Sequence, residues 1–293
     1  MRAKRPIVAM CYDFDGTLAP GNMQEYGFFS RLGKAARTFW AEAQAIARRD
    51  HADPILCYMM LMIRKANVGG LQTTRAALTG YGRDVPFFPG VEDWFDRISR
   101  FGKEVGVDVE HYIVSSGLRE LIEGSAIGDA FRKIYACSFL YDQNDCAVWP
   151  ANVVNYTTKT QFLFRINKGI EDDADNAAVN AFVPEEERRI PFARMLYLGD
   201  GLTDVPCMRL VKSFGGVAIA VHPKGRGKRQ TAAQLLKDGR VNYVMEADYS
   251  AGGKLEQLVQ CAIRGVALRH RMATLAGQNH RHRVPGGEGG ADA

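Results

Sequence analysis

A short apolar segment near the start of the chain, Ile7–Tyr12 (IVAMCY), runs directly into two aspartates, Asp13 and Asp15. Continuous apolar runs of this length are typical of strands that are covered on both faces in a parallel sheet. Similar runs recur, with helical patterns between several of them, at residues 109–114, 134–138, 195–198 and 217–221. Because strands that alternate with helices form βαβ units, the sequence predicts an α/β fold with a doubly wound parallel sheet.

The alternation breaks between residues 20 and 88, where three helical patterns follow one another without a strand, at residues 28–49, 54–66 and 71–80. Such a block indicates a helical module inserted into the α/β core. Glycine-rich, polar and basic residues without periodicity fill the last part of the chain. We therefore predict a core at residues 1–19 and 89–276, a helical cap at residues 20–88 and a disordered tail at residues 277–293.

Composition excludes several classes of protein. The longest strongly apolar run, residues 55–63, is far shorter than the roughly 20 residues of a membrane-spanning helix. The six cysteines form no CxxC pair, which argues against a zinc site or a disulfide framework, and no secretion signal is recognisable, so we expect a cytoplasmic protein. The net charge of +5 is modest, and nucleic-acid binding is not expected. A basic loop at residues 224–229 has no assigned role.

Asp13 and Asp15 point to the same side of an extended backbone, at the strand end where open α/β sheets bind ligands. Gly16 lets the backbone turn tightly beside such a ligand. A lone pair of aspartates is more often a solvated turn. A calcium-binding loop is excluded because Leu18 and Gln24 stand where such a loop needs glycine and glutamate. Two carboxylates at a strand end therefore remain as the candidate site.

A second acidic group, GDGLTD at residues 199–204, also follows an apolar run. Asp200 therefore emerges from a strand end, and Asp204 faces the same pocket if a helix starts here. Carboxylate oxygens are the ligands that Mg²⁺ prefers in proteins. The sequence predicts that Asp13 and Asp200 hold Mg²⁺.

Two further segments carry groups that suit an anion. Ser115, Ser116 and Gly117 follow the second apolar run, at the expected start of a helix, where backbone N–H groups favour a bound anion. Two threonines before Lys159 indicate a helix N-cap, which would fix this lysine in a first helical turn. Ser116 replaces Ser115 if the strand register differs by one residue, and Lys168 competes with Lys159.

In this order, the DFDGT segment, a strand that ends in Ser-Ser-Gly, an isolated lysine and the GDGLTD segment resemble the four motifs of the haloacid dehalogenase superfamily. The resemblance extends over residues 7–258. The helical insert is similar to the C1 cap of phosphoserine phosphatase-like members. The resemblance implies a capped α/β hydrolase that acts on a small phosphorylated substrate with the help of Mg²⁺.

The resemblance also implies roles for the acidic residues. Asp13 is expected to be the nucleophile that forms an aspartyl-phosphate. Asp15 is expected to protonate the leaving alcohol and then to activate water. Mg²⁺ is expected between the Asp13 carboxylate, the Asp15 backbone carbonyl and Asp200, with Asp204 orienting either the metal's ligands or Lys159.

For the phosphoryl group, the resemblance implies binding by Ser115, with Ser116 and Gly117 beside it, and by Lys159. Asp15 argues for phosphate esters over organic halides, since a halide leaves without a proton. A phosphomutase and a non-catalytic protein that binds a phosphorylated metabolite remain alternatives. The glutamate that phosphoserine phosphatases place soon after the first motif is replaced here by an Ala-Pro-Gly segment, which puts serine phosphate in doubt. The sequence does not indicate the oligomeric state.

Overall fold

The computed structural model describes residues 5–33 and 36–281. Its strands are β1 (Ile7–Tyr12), β2 (Asp108–Leu118), β3 (Lys133–Tyr141), β4 (Ala147–Asn152), β5 (Met195–Gly199), β6 (Val217–His222) and β7 (Tyr243–Glu246). Its α-helices are α1 (Gln24–Leu32), α2 (Ala36–Asp50), α3 (Pro54–Gly69), α4 (Arg75–Tyr81), α5 (Val91–Glu104), α6 (Arg119–Glu123), α7 (Thr158–Lys168), α8 (Asn176–Asn180), α9 (Val205–Ser213), α10 (Arg226–Lys237) and α11 (Lys254–Arg281).

The seven strands form one sheet in the order β4-β3-β2-β1-β5-β6-β7, and only β4 runs antiparallel to its neighbour. The predicted doubly wound parallel sheet is thus confirmed, and the five predicted strands correspond to β1, β2, β3, β5 and β6. The sequence did not predict β4 and β7, which lie at the two edges. Their residues are largely exposed, so they lack the continuous apolar run that marks a strand buried on both faces.

Helices α1 to α4 fill the region between β1 and α5 where a cap is predicted. The predicted first helix is two helices, because the chain adopts a left-handed conformation at Gly33 (φ 65°) and α1 ends there. Helix α3 begins at Pro54 after Asp53, whose side chain accepts hydrogen bonds from the N–H groups of Ile55 and Leu56. No helix among residues 5–33 and 36–281 is long and apolar enough to cross a membrane.

Two predictions near the carboxyl end need correction. Helix α10 begins at Arg226, so the predicted basic loop at residues 224–229 is largely the first turn of a helix. Helix α11 continues to Arg281, so residues 277–281 are helical and not part of a disordered tail. Good helix-forming residues such as alanine, leucine and arginine extend this helix past its buried face. The rest of the predicted tail, residues 282–293, lies outside the described residues.

Hydrogen bonds hold the cap helices against the carboxyl edge of the sheet. The Tyr58 hydroxyl of α3 donates to the backbone oxygen of Ser116 at 2.8 Å. At the start of the same helix, Asp53 accepts a bond of 2.6 Å from the side chain of Asn155, which lies just before α7. A backbone bond also joins Ala147 of β4 to Thr73 before α4. The cap therefore rests on the strand ends that carry the predicted motifs.

Candidate active site

The register of the three central strands brings the first, second and fourth motifs to one level. Tyr12 at the end of β1 pairs with Ile113 of β2 and with Leu198 of β5. Because the three strands are parallel, the residues that follow each of them emerge at the same edge of the sheet. Asp13 and Asp200 therefore come together there, as the sequence predicted.

Lys159 joins the first motif to the fourth. Its ammonium group donates to Oδ1 of Asp13 at 2.9 Å and to Oδ1 of Asp204 at 2.7 Å. Asp204 also accepts a bond of 2.8 Å from the Tyr197 hydroxyl. Lys159 and Asp204 are fully buried and Asp13 is 5% exposed, so solvent hardly screens these charges. The predicted lysine is therefore held rigidly against the predicted nucleophile.

The lysine reaches this position by a different local structure from the one predicted. Thr157 precedes α7, but its side chain makes no capping hydrogen bond. The first turn is held by Asn155, whose backbone oxygen accepts from the N–H of Lys159 at 2.9 Å and whose N–H donates to the Thr158 hydroxyl at 2.7 Å. The alternative lysine, Lys168, donates to the backbone carbonyls of Val179 in α8 and of Ala181 just after it, and it does not line the pocket. The structure therefore favours Lys159 over Lys168.

The acidic residues strongly influence one another. Burial, followed by the nearby Asp204 carboxylate, raises the pKa of Asp13 to about 7, although Lys159 acts in the opposite direction. Burial, followed by the charge of Asp13, raises the pKa of Asp15 well above its usual value. Burial alone would lower the pKa of Lys159, but the two carboxylates bonded to it raise this pKa above its ordinary range. The pocket therefore holds more negative charge than one lysine balances.

A divalent cation fits this excess of negative charge. Oxygens of Asp13, Asp200 and Asp204 all lie within 4.8 Å of one another. Hard carboxylate oxygens at this separation are suitable ligands for Mg²⁺. Asp204 already accepts two hydrogen bonds on one oxygen and one of 3.2 Å from the Gly201 N–H on the other. Asp13 and Asp200 are therefore the better candidates for direct ligands, and Asp204 chiefly holds Lys159.

Two glycines let the acidic groups approach the backbone. At Gly16 the backbone is left-handed (φ 74°), and a Cβ atom there would lie 2.2 Å from an Asp200 carboxylate oxygen. At Gly117 a Cβ atom would lie 2.2 Å from Cε of Met23 and 3.2 Å from Oδ2 of Asp15. Only glycine fits such contacts without displacing its neighbours. The other oxygen of Asp15 accepts a 2.8 Å bond from the N–H of Met23.

The Ser-Ser-Gly segment does not start a helix, contrary to the prediction. Strand β2 continues to Leu118 with a register irregularity after Val114, and the short helix α6 begins only at residue 119. The Ser115 hydroxyl oxygen accepts a 3.0 Å bond from the N–H of Gly117, which leaves its own proton available to a ligand. The Ser116 hydroxyl is buried and has no partner among the described residues. Both serines line the pocket, so this segment offers a ligand hydroxyl groups and not a helix terminus.

A cavity of about 390 Å³ separates this edge from the cap. Asp204 does not line the cavity but is bonded to Lys159, which does. The floor contains all the other predicted site residues: Asp13, Asp15, Ser115, Ser116, Gly117, Lys159 and Asp200. The cap wall includes side chains that sequence reasoning did not assign to the site, among them Asn22, Gln24, Trp40 and Tyr58. The closeness of Asn22 and Gln24 to the DFDGT segment was the one available signal.

An acidic pocket with a bridging lysine, set at the carboxyl edge of a parallel sheet beneath helices, defines a capped α/β hydrolase. A family model described as haloacid dehalogenase-like hydrolase matches residues 11–209, and the chain belongs to that family.

The chain is also similar to one curated relative in sequence and to solved structures in fold. The chain is 29% identical over 281 residues to an uncharacterized protein of Borreliella burgdorferi, covering 87% of this chain and 96% of the relative. The structure of a probable phosphoserine phosphatase from Vibrio cholerae matches with a TM-score of 0.53 and 13% identity, over 92% of this chain and 67% of that one. The structure of a haloacid dehalogenase-family hydrolase from Salmonella enterica serovar Typhi matches with a TM-score of 0.51 and 16% identity, over 82% of this chain and 67% of that one.

Proposed function

We propose that the protein is a Mg²⁺-dependent phosphatase that hydrolyses a small phosphorylated metabolite through an aspartyl-phosphate on Asp13. The observation that carries the proposal is the contact between Lys159 and Asp13 at the floor of the cavity. A buried carboxylate that is bonded to a lysine and lies close to Asp200 can receive both a phosphoryl group and a divalent cation.

Asp13 and Asp200 are the side chains that would hold Mg²⁺, with Asp204 behind them. When bound, the cation offsets the repulsion between a carboxylate nucleophile and the anionic phosphate. Lys159 supplies positive charge directly at Asp13.

In the first step, a carboxylate oxygen of Asp13 attacks phosphorus, and the bond from phosphorus to the leaving oxygen breaks. Asp15 gives its proton to that oxygen, so a neutral alcohol departs. In the second step, Asp15 takes a proton from water as the water oxygen attacks phosphorus. Inorganic phosphate and the free Asp13 carboxylate result. The bond from the N–H of Met23 keeps Asp15 in place for both transfers.

Ser115 and Lys159 are suited to binding the phosphoryl oxygens. The Ser115 hydroxyl is oriented by the Gly117 N–H and can donate its proton to an oxygen of the transferred group. Lys159 is oriented by Asp204 and can balance the charge that builds up on that group. Such groups act strongly because they are held in position before the reaction begins. The cap above them limits the access of bulk water.

The test is hydrolysis of p-nitrophenyl phosphate by the full-length protein, with Mg²⁺ and after chelation. We expect turnover that requires Mg²⁺ and falls by at least about 1000-fold in Asp13→Asn, because the nucleophile is removed. Asp129→Asn is the matched control, since Asp129 is exposed and distant from the cavity. Failure of the folded wild type to hydrolyse this ester or any member of a panel of phosphorylated metabolites would contradict the proposal.

A further inference from the structure

The cap wall of the cavity contains a buried amide oxygen that has no hydrogen-bond partner among the described residues. Gln24 is the first residue of α1 and is 2% exposed. Its side-chain oxygen is buried without a hydrogen-bond partner among the described residues, and the residue lines the cavity. Buried polar groups in folded proteins are nearly always paired, so an unpaired one beside a cavity indicates a missing ligand group.

The position of Gln24 identifies which part of a substrate it would meet. The preceding residue, Met23, donates its backbone N–H to Asp15 at 2.8 Å. In the proposed function, on which this inference rests, Asp15 protonates the oxygen of the leaving alcohol. The phosphoryl group would lie beyond Asp15, against Asp13, Ser115 and Lys159. Gln24 therefore borders the space for the leaving alcohol and not that for the phosphoryl group.

The described residues of the cap wall carry no charge. Among the described residues, the cap side chains that line the cavity are amide, aromatic or apolar, including Asn22, Gln24, Trp40 and Gln44. The acidic residue that follows Gln24, Glu25, does not line the cavity, and its carboxylate accepts bonds from Asn22 at 2.7 Å and Trp40 at 3.1 Å. An ammonium or carboxylate group on the substrate would lose its hydration here and gain no opposite charge.

The remaining groups favour a hydroxylated ligand. Within the described part of the chain, the buried Ser116 hydroxyl is a second polar group without a partner, and Ser116 lines the same cavity. Trp40, Tyr58 and Tyr156 add aromatic surface, and the Tyr58 hydroxyl is already used by the bond to Ser116. Unpaired amide and hydroxyl groups bind alcohols, while aromatic rings pack against the C–H groups between them.

From these contacts we infer that Gln24 determines specificity, and that the substrate is a phosphate monoester of an uncharged, hydroxyl-bearing alcohol such as a polyol or a sugar. Esters whose alcohol carries an ammonium or carboxylate group, such as phosphoserine and phosphoethanolamine, are rejected. Nucleoside monophosphates also carry a hydroxylated sugar next to the phosphate. If they bind more tightly than hexose phosphates, the hydroxylated alcohol of the substrate is a nucleoside, and the inference is supported.

Ligand-binding measurements test the inferred substrate class independently of turnover. In the Asp13→Asn protein with Mg²⁺, calorimetry would compare glycerol phosphate, a hexose phosphate, a nucleoside monophosphate, phenyl phosphate, phosphoserine and phosphoethanolamine. We expect the uncharged hydroxylated esters to bind at least about tenfold more tightly than the two charged ones. Equal or tighter binding of phosphoserine or phosphoethanolamine would overturn the inference. The proposed function is judged separately, by wild-type turnover of the same esters.

Substitutions of Gln24 in the Asp13→Asn protein test whether this residue determines specificity. Gln24→Met keeps the size of the side chain and removes the hydrogen bond, so the affinity for hexose phosphate relative to phenyl phosphate should fall about tenfold. Gln24→Glu should shift the preference towards phosphoethanolamine. Gln234→Met, at an exposed glutamine of α10, is the matched control. If Gln24→Met weakens all ligands equally, or Gln24→Glu leaves the preference unchanged, Gln24 is not a specificity residue.

Discussion

The floor and the cap wall of the cavity differ in how their polar groups are satisfied. On the floor, Lys159 is bonded to Asp13 and to Asp204, and each bond joins opposite charges. On the cap wall, the described side chains are uncharged, and the oxygen of Gln24 has no partner among the described residues. The charged groups of the floor are thus paired before any ligand arrives, whereas we infer that the Gln24 oxygen gains its partner from the ligand. On this account, chemistry and specificity are carried by separate elements, and substitutions can address them one at a time.

The largest effect is expected on the floor. Lys159→Met should lower kcat for p-nitrophenyl phosphate by about 1000-fold, because the charge on the transferred group is no longer balanced. Circular dichroism should accompany the assay, since two buried carboxylates lose their partner. Lys168→Met is the matched control, and we expect its kcat to stay within about threefold of wild type, because Lys168 bonds only carbonyls away from the cavity. Equal losses of kcat in both variants would contradict the assignment of Lys159, and not Lys168, to the site.

A buried histidine outside the cavity should affect stability and not selectivity. Burial lowers the pKa of His111 from 6.5 to about 4, and its ring bonds Tyr12 and Ser99 at 3.0 Å each. The unfolded chain therefore binds the proton more readily, and stability is lost as pH falls from about 6.5 towards 4. Urea unfolding should show a decrease of up to roughly 3 kcal/mol across this range that is smaller in His111→Gln. An equal decrease in the free energy of unfolding of wild type and His111→Gln would show that other groups cause the pH dependence.

The smallest effect is expected where the cap meets the floor. Tyr58→Phe removes the hydroxyl that donates to the backbone oxygen of Ser116. Loss of one such hydrogen bond should raise KM for p-nitrophenyl phosphate by about fivefold, with a smaller change in kcat. Tyr243→Phe, on the exposed edge strand β7, is the matched control. A large fall in kcat with unchanged KM would instead show that Tyr58 contributes to the chemical step, as the floor residues do.

Sequence patterns predicted the floor better than the wall for a physical reason. Strands β1 and β5 are buried on both faces, so their apolar runs are continuous, and the polar residues that follow them stand out. Strand β2 gives a weaker signal of the same kind, because its buried part ends in an apolar run before the serines. The edge strands β4 and β7 lack such runs and were missed. In the cap, an aromatic such as Trp40 gives the same helical pattern whether it faces the helix core or the cavity. Gln24 was therefore considered only as a failed calcium ligand.

Local rules also failed where tertiary contacts decide the structure. The threonines before Lys159 suggested a side-chain cap, but Asn155 holds the turn, and it is itself fixed by Asp53 of the cap. The Ser-Ser-Gly segment suggested a helix start, but pairing with β3 extends the strand to Leu118. In both places the predicted residue lies in the cavity although the predicted local structure is wrong. Residue type and order along the chain were more reliable guides than capping or helix-start signals.

The central claim is that Asp13 receives the phosphoryl group, and the most direct measurement is to trap that intermediate. In Asp15→Asn, the water step lacks its base, so acid-quenched reactions with p-nitrophenyl phosphate and Mg²⁺ should accumulate phosphorylated protein. Peptide mass spectrometry should place the phosphate on the peptide that contains Asp13. Phosphate on Ser115 or Ser116 would contradict the account, as would hydrolysis by the wild type with no phosphate on Asp13 in the trapped variant.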